Sequence, residues 1–149
     1  MNHNQTIPVR RFNAFTARLT SYMIDFHPDR IDEVDFIDQR GQMAADVFHQ
    51  CSVRGMTVDE SMHEAENTLY AGLHFSPYLM LEEIVYNHFR YTDDEDELGE
   101  FTMQMLDMVK PLINNYAPGD DFKGTYEYTT LYGQIIQNIN DYLTSNGLQ

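Results

Sequence analysis

Four side chains around one proline corner are of the types that move protons. They are His74, inside "GLHFSPYLML" at residues 72–81, and Glu82, Glu83 and His88 in the turns that follow. A histidine oriented by a carboxylate is an elementary general base. The spacing works against that pairing. Glu83 and His88 are five residues apart and Glu82 and His88 six, whereas neighbours on a helix face are three or four apart. His88 also falls on an apolar stripe, where a histidine is expected as a core residue with one nitrogen satisfied. His74, Glu82, Glu83 and His88 therefore form a candidate polar site, and the competing expectation for the stretch is a corner between two helices.

Metal chemistry has two starting points. "ESMH" gives Glu60-x-x-His63, the spacing of di-iron carboxylate bundles, and "DVFH" gives the shorter analogue Asp46-x-x-His49. A di-metal site needs two true Glu-x-x-His pairs, and this chain has one. "DEDELGEFTMQM" has the outline of a calcium loop starting at Asp94, but Leu98 and Met105 stand where ligand oxygens are required. "PGDDFKG" lacks the glycines and the Gly-Lys-Ser/Thr of a phosphate loop. Cys51 sits on an apolar stripe, where a thiol is inert. No catalytic residue, no metal and no cofactor is expected from these patterns.

The elements that would position these residues are helical throughout. Apolar residues recur at helical spacing and no period-two run or hairpin signal is present. The pattern predicts an all-α fold, a compact single-domain bundle of about six helices. The expected spans are 11–26, 34–54, 58–73, 77–91, 96–115 and 126–145, with a flexible N-terminal arm at 1–10 and one domain over 11–147. "TVDE" at 57–60 predicts a capping box, in which Thr57 and Glu60 each satisfy the other's backbone N–H. Ser76 is expected as an N-cap with Pro77 at the first helical position, and Phe75 and Met80 as a hydrophobic staple. Gly41 lies on the stripe of the second helix, where it would let another helix approach closely. The stripe of the fifth helix runs through Pro111, which predicts a bend and not a stop.

Two runs of the sequence carry a resemblance. "FIDQRGQMAADVFHQCSVRGMTVDESMHEAENTLYAGLHFSPYLMLEEIVYNHF" and the closing "LYGQIIQNINDYLTSNG" resemble the bacterial family called domain of unknown function 1896, over roughly residues 11–147. The resemblance implies an all-helical domain of anaerobic gut or oral bacteria and an association with mobile genetic elements. It implies no activity, ligand or catalytic residue.

Charge narrows the partners. The formal net charge is −15 in 149 residues, with 24 acidic residues against nine Lys and Arg. Arg10, Arg11 and Arg18 precede every acid, and all 24 acids follow from Asp25 onward. Phosphate binding needs clustered cations, so direct nucleic-acid binding and anionic membrane binding are not expected. No apolar run reaches the length of a membrane span, and the first residues lack a secretory pattern. A single cysteine suits a reducing, cytoplasmic setting. The function expected is that of a protein-interaction or regulatory module with another, basic protein as partner. Its candidate surface is Asp93, Asp94, Asp96 and Glu97 with Met103 and Met108, two adaptable methionines off the apolar stripe. Two alternatives are an acidic DNA mimic that blocks a nucleic-acid enzyme, and an enzyme or metal protein whose histidines and carboxylates the fold assembles.

Overall fold

A computed structural model describes residues 7–147, the first three of them as backbone only. The fold is all-helical, and no strand occurs among the described residues. Six α-helices follow in order: α1 Ile7–Phe26, α2 Val34–Val53, α3 Val58–Leu69, α4 Pro77–His88, α5 Glu95–Asn115 and α6 Tyr126–Ser145. Short 3-10 turns at Pro28–Arg30 and Phe122–Gly124 lie in the α1–α2 and α5–α6 connections. The helix α1 begins four residues before the expected start, and residues 1–6 of the expected arm lie outside the described residues. The helix α5 continues unbroken through Pro111.

The helices gather into two compact units that divide between Ala71 and Gly72. In the first, α2 packs against both α1 and α3. Its core is Phe15, Leu19, Met23, Ile37, Ala44, Ala45, Phe48, Cys51, Ala65 and Leu69. Gly41 is buried where α2 meets α1. A Cβ there would stand 2.5 Å from the Thr16 methyl, so the glycine sets how closely the two helices approach. Arg40, the residue before it, turns toward the end of α3. Its guanidinium donates to the carbonyls of Thr68, Leu69 and Ala71 at 3.2, 3.3 and 2.6 Å. These carbonyls lie at and just past the C-terminal end of α3, where the helix ladder runs out, so a cation here adds a donor and complements the negative end of the helix dipole.

In the second unit α4, α5 and α6 share one core. It includes Leu81, Ile84, Val85, Leu98, Met105, Leu106, Val109, Ile113, Leu131, Ile135 and Ile139. Thr102 is fully buried there and satisfies its hydroxyl by donating to the Leu98 carbonyl at 2.7 Å. Both expected caps are present. Thr57 Oγ1 accepts from Glu60 N at 3.1 Å and Glu60 Oε1 accepts from Thr57 N at 2.9 Å. Ser76 Oγ accepts from Leu79 N at 3.0 Å, with Pro77 opening α4. Phe75 and Met80 are both buried in the same core.

Several expectations from the apolar stripes fail at helix ends. The third helix stops at Leu69, not 73, because Gly72 takes a left-handed conformation (φ 79°) that turns the chain out of the helix. The fourth stops at His88, not 91. His88, expected on the core face, is exposed. It is the last residue of α4, where the helix ends.

Candidate functional site

The residues expected around the corner are held in separate pairs. His74 lies in the α3–α4 joint with its side chain about half exposed, its Nδ1 3.2 Å from Asp120 Oδ2. The same carboxylate accepts from the backbone N–H of Gly72 at 3.0 Å and of His74 at 3.1 Å. Burial pushes the Asp120 carboxyl up. The two backbone hydrogen bonds and the His74 ring outweigh that, so its pKa lies below the ordinary aspartate value. Asp120 thus fastens the joint to the α5–α6 connection. The corner is a pinned structural feature, and its histidine is engaged in the pinning.

Glu83 is engaged elsewhere. Its Oε2 accepts a hydrogen bond from the Tyr128 hydroxyl at 3.3 Å. Burial is the first cause that raises the Tyr128 pKa, and the Glu83 charge and hydrogen bond and the adjacent Tyr132 add to it. The phenol is pushed up to about 12. A phenol held there stays protonated at neutral pH and acts as a donor, not as a base or nucleophile. His88 is exposed at the end of α4, and its ring meets Tyr132 edge-on at 5.8 Å and 75°. Glu82 is half-buried on α4. The fold therefore gives His74, Glu83 and His88 three different partners, and it does not assemble them into a relay. Tyr128 and Tyr132 belong to a run of ring contacts that continues through Phe75, Phe122 and Tyr116.

The metal candidates are also accounted for by local structure. Glu60 is held in the capping box, and the backbone N–H and then the hydroxyl of Thr57 lower its pKa against a small effect of burial. His63 is exposed on α3. Among the described residues no three His, Cys, Asp or Glu side chains come together as a metal site would require.

The acidic segment before α5 divides into two roles. Asp94 is the N-cap of α5, and its Oδ1 accepts from Asp96 N at 2.9 Å and Glu97 N at 3.2 Å. Asp93, almost fully exposed, pairs with Arg90 at 3.2 Å. Asp96 and Glu97 project from the first turn into solvent. Tyr91 is exposed beside them. Its ring contacts Phe101 edge-on at 5.8 Å and its hydroxyl donates to the Glu97 carbonyl at 3.4 Å. Met103 is exposed, whereas Met108 is half-buried against the core of the second unit. Five residues turn a helix by about 140°, so the two methionines do not share a face. Asp96, Glu100, Met103 and Asp107 do share one, at i, i+4, i+7 and i+11, and all four are exposed.

These features define an all-helical protein whose polar residues mainly cap helices and fasten joints. Residues 9–148 match the model of the family described as Domain of unknown function (DUF1896), and the chain belongs to that family. Its structure is similar to one described as the crystal structure of protein PG0816 from Porphyromonas gingivalis, with a TM-score of 0.85. The two sequences are 24% identical, and the match covers 97% of this chain and 99% of that one. At that identity the likeness is one of fold. No curated protein matches the sequence. No helix among the described residues is long and apolar enough to cross a membrane.

Proposed function

We propose that the protein is an interaction or regulatory module that binds a basic protein partner through the exposed face of α5. One observation carries the reading: Asp96, Glu100, Met103 and Asp107 form a single solvent-facing line, with Tyr91 exposed beside its acidic end. Carboxylates spaced one turn apart around a flexible apolar side chain suit a partner helix that bears Lys or Arg around an apolar anchor. Methionine adapts its shape to such an anchor, and rim charges steer the encounter. The net charge of −15 acts in the same direction at longer range. The reading places the protein in the cytoplasm, a reducing compartment in which the single buried thiol of Cys51 stays unpaired.

The test is affinity capture from native lysate with the wild type and a Glu100→Gln/Met103→Ser/Asp107→Asn variant side by side. A recurrent basic protein retained by the wild type and lost by the variant is expected. Retention should weaken as salt shortens the screening length, which is about 8 Å at physiological ionic strength. A partner held equally well by both proteins would refute the assignment to α5.

A further inference from the structure

The corner between α1 and α2, in the first unit, is a separate surface. Four large apolar side chains are exposed within eleven residues: Ile24, Phe26, Ile31 at 49% and Val34 at 59%. An open depression of about 390 Å³ is lined by the last of these, Val34, together with Asp32, Glu33, Asp35 and Phe36. Residues 25–38 contain six acids and one cation, Arg30. That cation is already engaged. Its Nε and terminal nitrogen donate to the two Glu33 carboxylate oxygens at 2.9 and 3.0 Å, and its guanidinium lies 4.9 Å from the Phe36 ring centre. Neither Asp32 nor Asp35 forms an ion pair among the described residues. Exposed Val34 and neighbouring Ile31 thus lie at a depression in which Arg30 neutralises Glu33 but Asp32 and Asp35 have no ion-pair partner among the described residues.

We infer that this corner docks a basic amphipathic segment of a protein partner, which sets apolar side chains against Ile31 and Val34 and Lys or Arg heads against Asp32 and Asp35. Charge selects the occupant. A nucleic acid and an anionic membrane would each bring like charge to the carboxylates, and desolvating them against like charge is unfavourable; a second copy of this chain carries a net charge of −15 and is opposed at long range. An uncharged apolar segment would cover Ile31 and Val34 but leave the acids without counter-charge. Only a segment that is both cationic and apolar satisfies the two halves of the surface. The inference rests on the reading that the protein works by binding a protein, and it adds a second surface remote in sequence from α5.

The probe is a labelled helical peptide of roughly five turns, with leucine on one face and lysine on the other, and its glutamate counterpart. Binding is read by fluorescence anisotropy at physiological salt. The lysine peptide is expected to bind and the glutamate peptide not to bind. Ile31→Ser/Val34→Ser and, separately, Asp32→Asn/Asp35→Asn should each weaken binding by about tenfold, and the second pair should also flatten its salt dependence. All four side chains are exposed or lie at a helix start, so the circular dichroism of these variants should match the wild type. Met103→Ser/Asp107→Asn on α5 should change the affinity by less than about twofold. Equal losses from the corner and α5 variants, or a loss from the α5 variant alone, would overturn the corner while leaving the general reading intact. Failure of the wild type to bind the lysine peptide would also overturn the corner, and the capture experiment on α5 decides separately whether the general reading stands.

Discussion

Replacing Gly41 with alanine opposes two effects of similar size. Within a helix, alanine is favoured over glycine by about 1 kcal/mol. The added Cβ, however, would sit 2.5 Å from Thr16 Cγ2, closer than real side chains tolerate. The Thr16 backbone nitrogen lies further back at 3.4 Å, so the conflict is chiefly with one methyl group. That methyl cannot swing away freely. Thr16 Oγ1 donates to the carbonyls of Phe12 and Asn13, both at 3.0 Å, and rotation of the side chain would surrender these bonds. Overpacking of this kind costs about 1–3 kcal/mol, so after the propensity gain Gly41→Ala should destabilise by about 0–2 kcal/mol. Thr16→Ser removes the methyl and keeps the hydroxyl. In that background Gly41→Ala should stabilise by nearly the full 1 kcal/mol or so of helix propensity, giving a coupling of about 1–3 kcal/mol between the two positions. The chain has no tryptophan, so urea unfolding is best followed by circular dichroism at the helical minimum. Gly41→Ala that stabilises in the wild-type background would refute the argument, because α1 would then be free to move away. So would a Thr16→Ser background that leaves the effect of Gly41→Ala unchanged.

The remaining predictions concern caps and pinned polar groups. Ser76→Ala should cost about 0.5–2 kcal/mol and speed hydrogen exchange at the Leu79 amide, which loses its acceptor; an unchanged Leu79 amide would exclude Ser76 as the cap. Asp120→Ala should speed exchange at the amides of Gly72 and His74 and leave α5 protected, as measured by hydrogen–deuterium exchange. Because the folded Asp120 pKa lies below its ordinary 3.8, its stabilising effect is present above that pH and is lost as pH falls through the folded value; the variant should lack this part of the acid transition. Tyr128 should titrate near pH 12 in ultraviolet absorbance, later than an ordinary tyrosine, and Tyr128→Phe should remove that late step. Its raised pKa means the associated stability is complete below about pH 10 and is lost as pH rises toward 12, and a titration curve with no late step would refute the burial of the phenol beside the Glu83 carboxylate.

What could be read from the sequence was local. A capping box is a contact between residues three apart, so Thr57 with Glu60 and Ser76 before Pro77 are legible as strings. Gly41 was legible because a missing side chain on an apolar stripe implies a close neighbour, although the string cannot say that the neighbour is Thr16. The polar contacts that fasten each unit were not legible. Arg40 reaches carbonyls 28 to 31 residues away, Asp120 binds amides 46 and 48 residues away, and Tyr128 meets Glu83 across 45 residues. Nothing in "APGDDFKG" distinguishes the aspartate that pins a joint from the one beside it. His88 shows the opposite failure. Its spacing from Ile84 and Val85 fits a core position, but periodicity has no means of marking where the helix stops and the packing partner ends.

The acidic segment before α5 shows how structure changes the experiment as well as the interpretation. As a string, Asp93, Asp94, Asp96 and Glu97 look like one patch, and neutralising all four would seem to test whether charge recruits a partner. In the fold Asp94 holds two amides of the first turn and the others hold none. Neutralising it along with the rest weakens a cap as well as the field, and losing a cap costs about 0.5–2 kcal/mol. Lost binding could then come from a frayed helix start, which would displace Tyr91 and its contact with the Glu97 carbonyl. A variant limited to Asp96, Glu100 and Asp107 leaves the cap intact and removes charge only from the exposed line. If association slows in that variant while helix content and unfolding midpoint stay fixed, the effect belongs to the surface. If the midpoint falls with it, these carboxylates support the helix, and α5 loses its claim as the docking face.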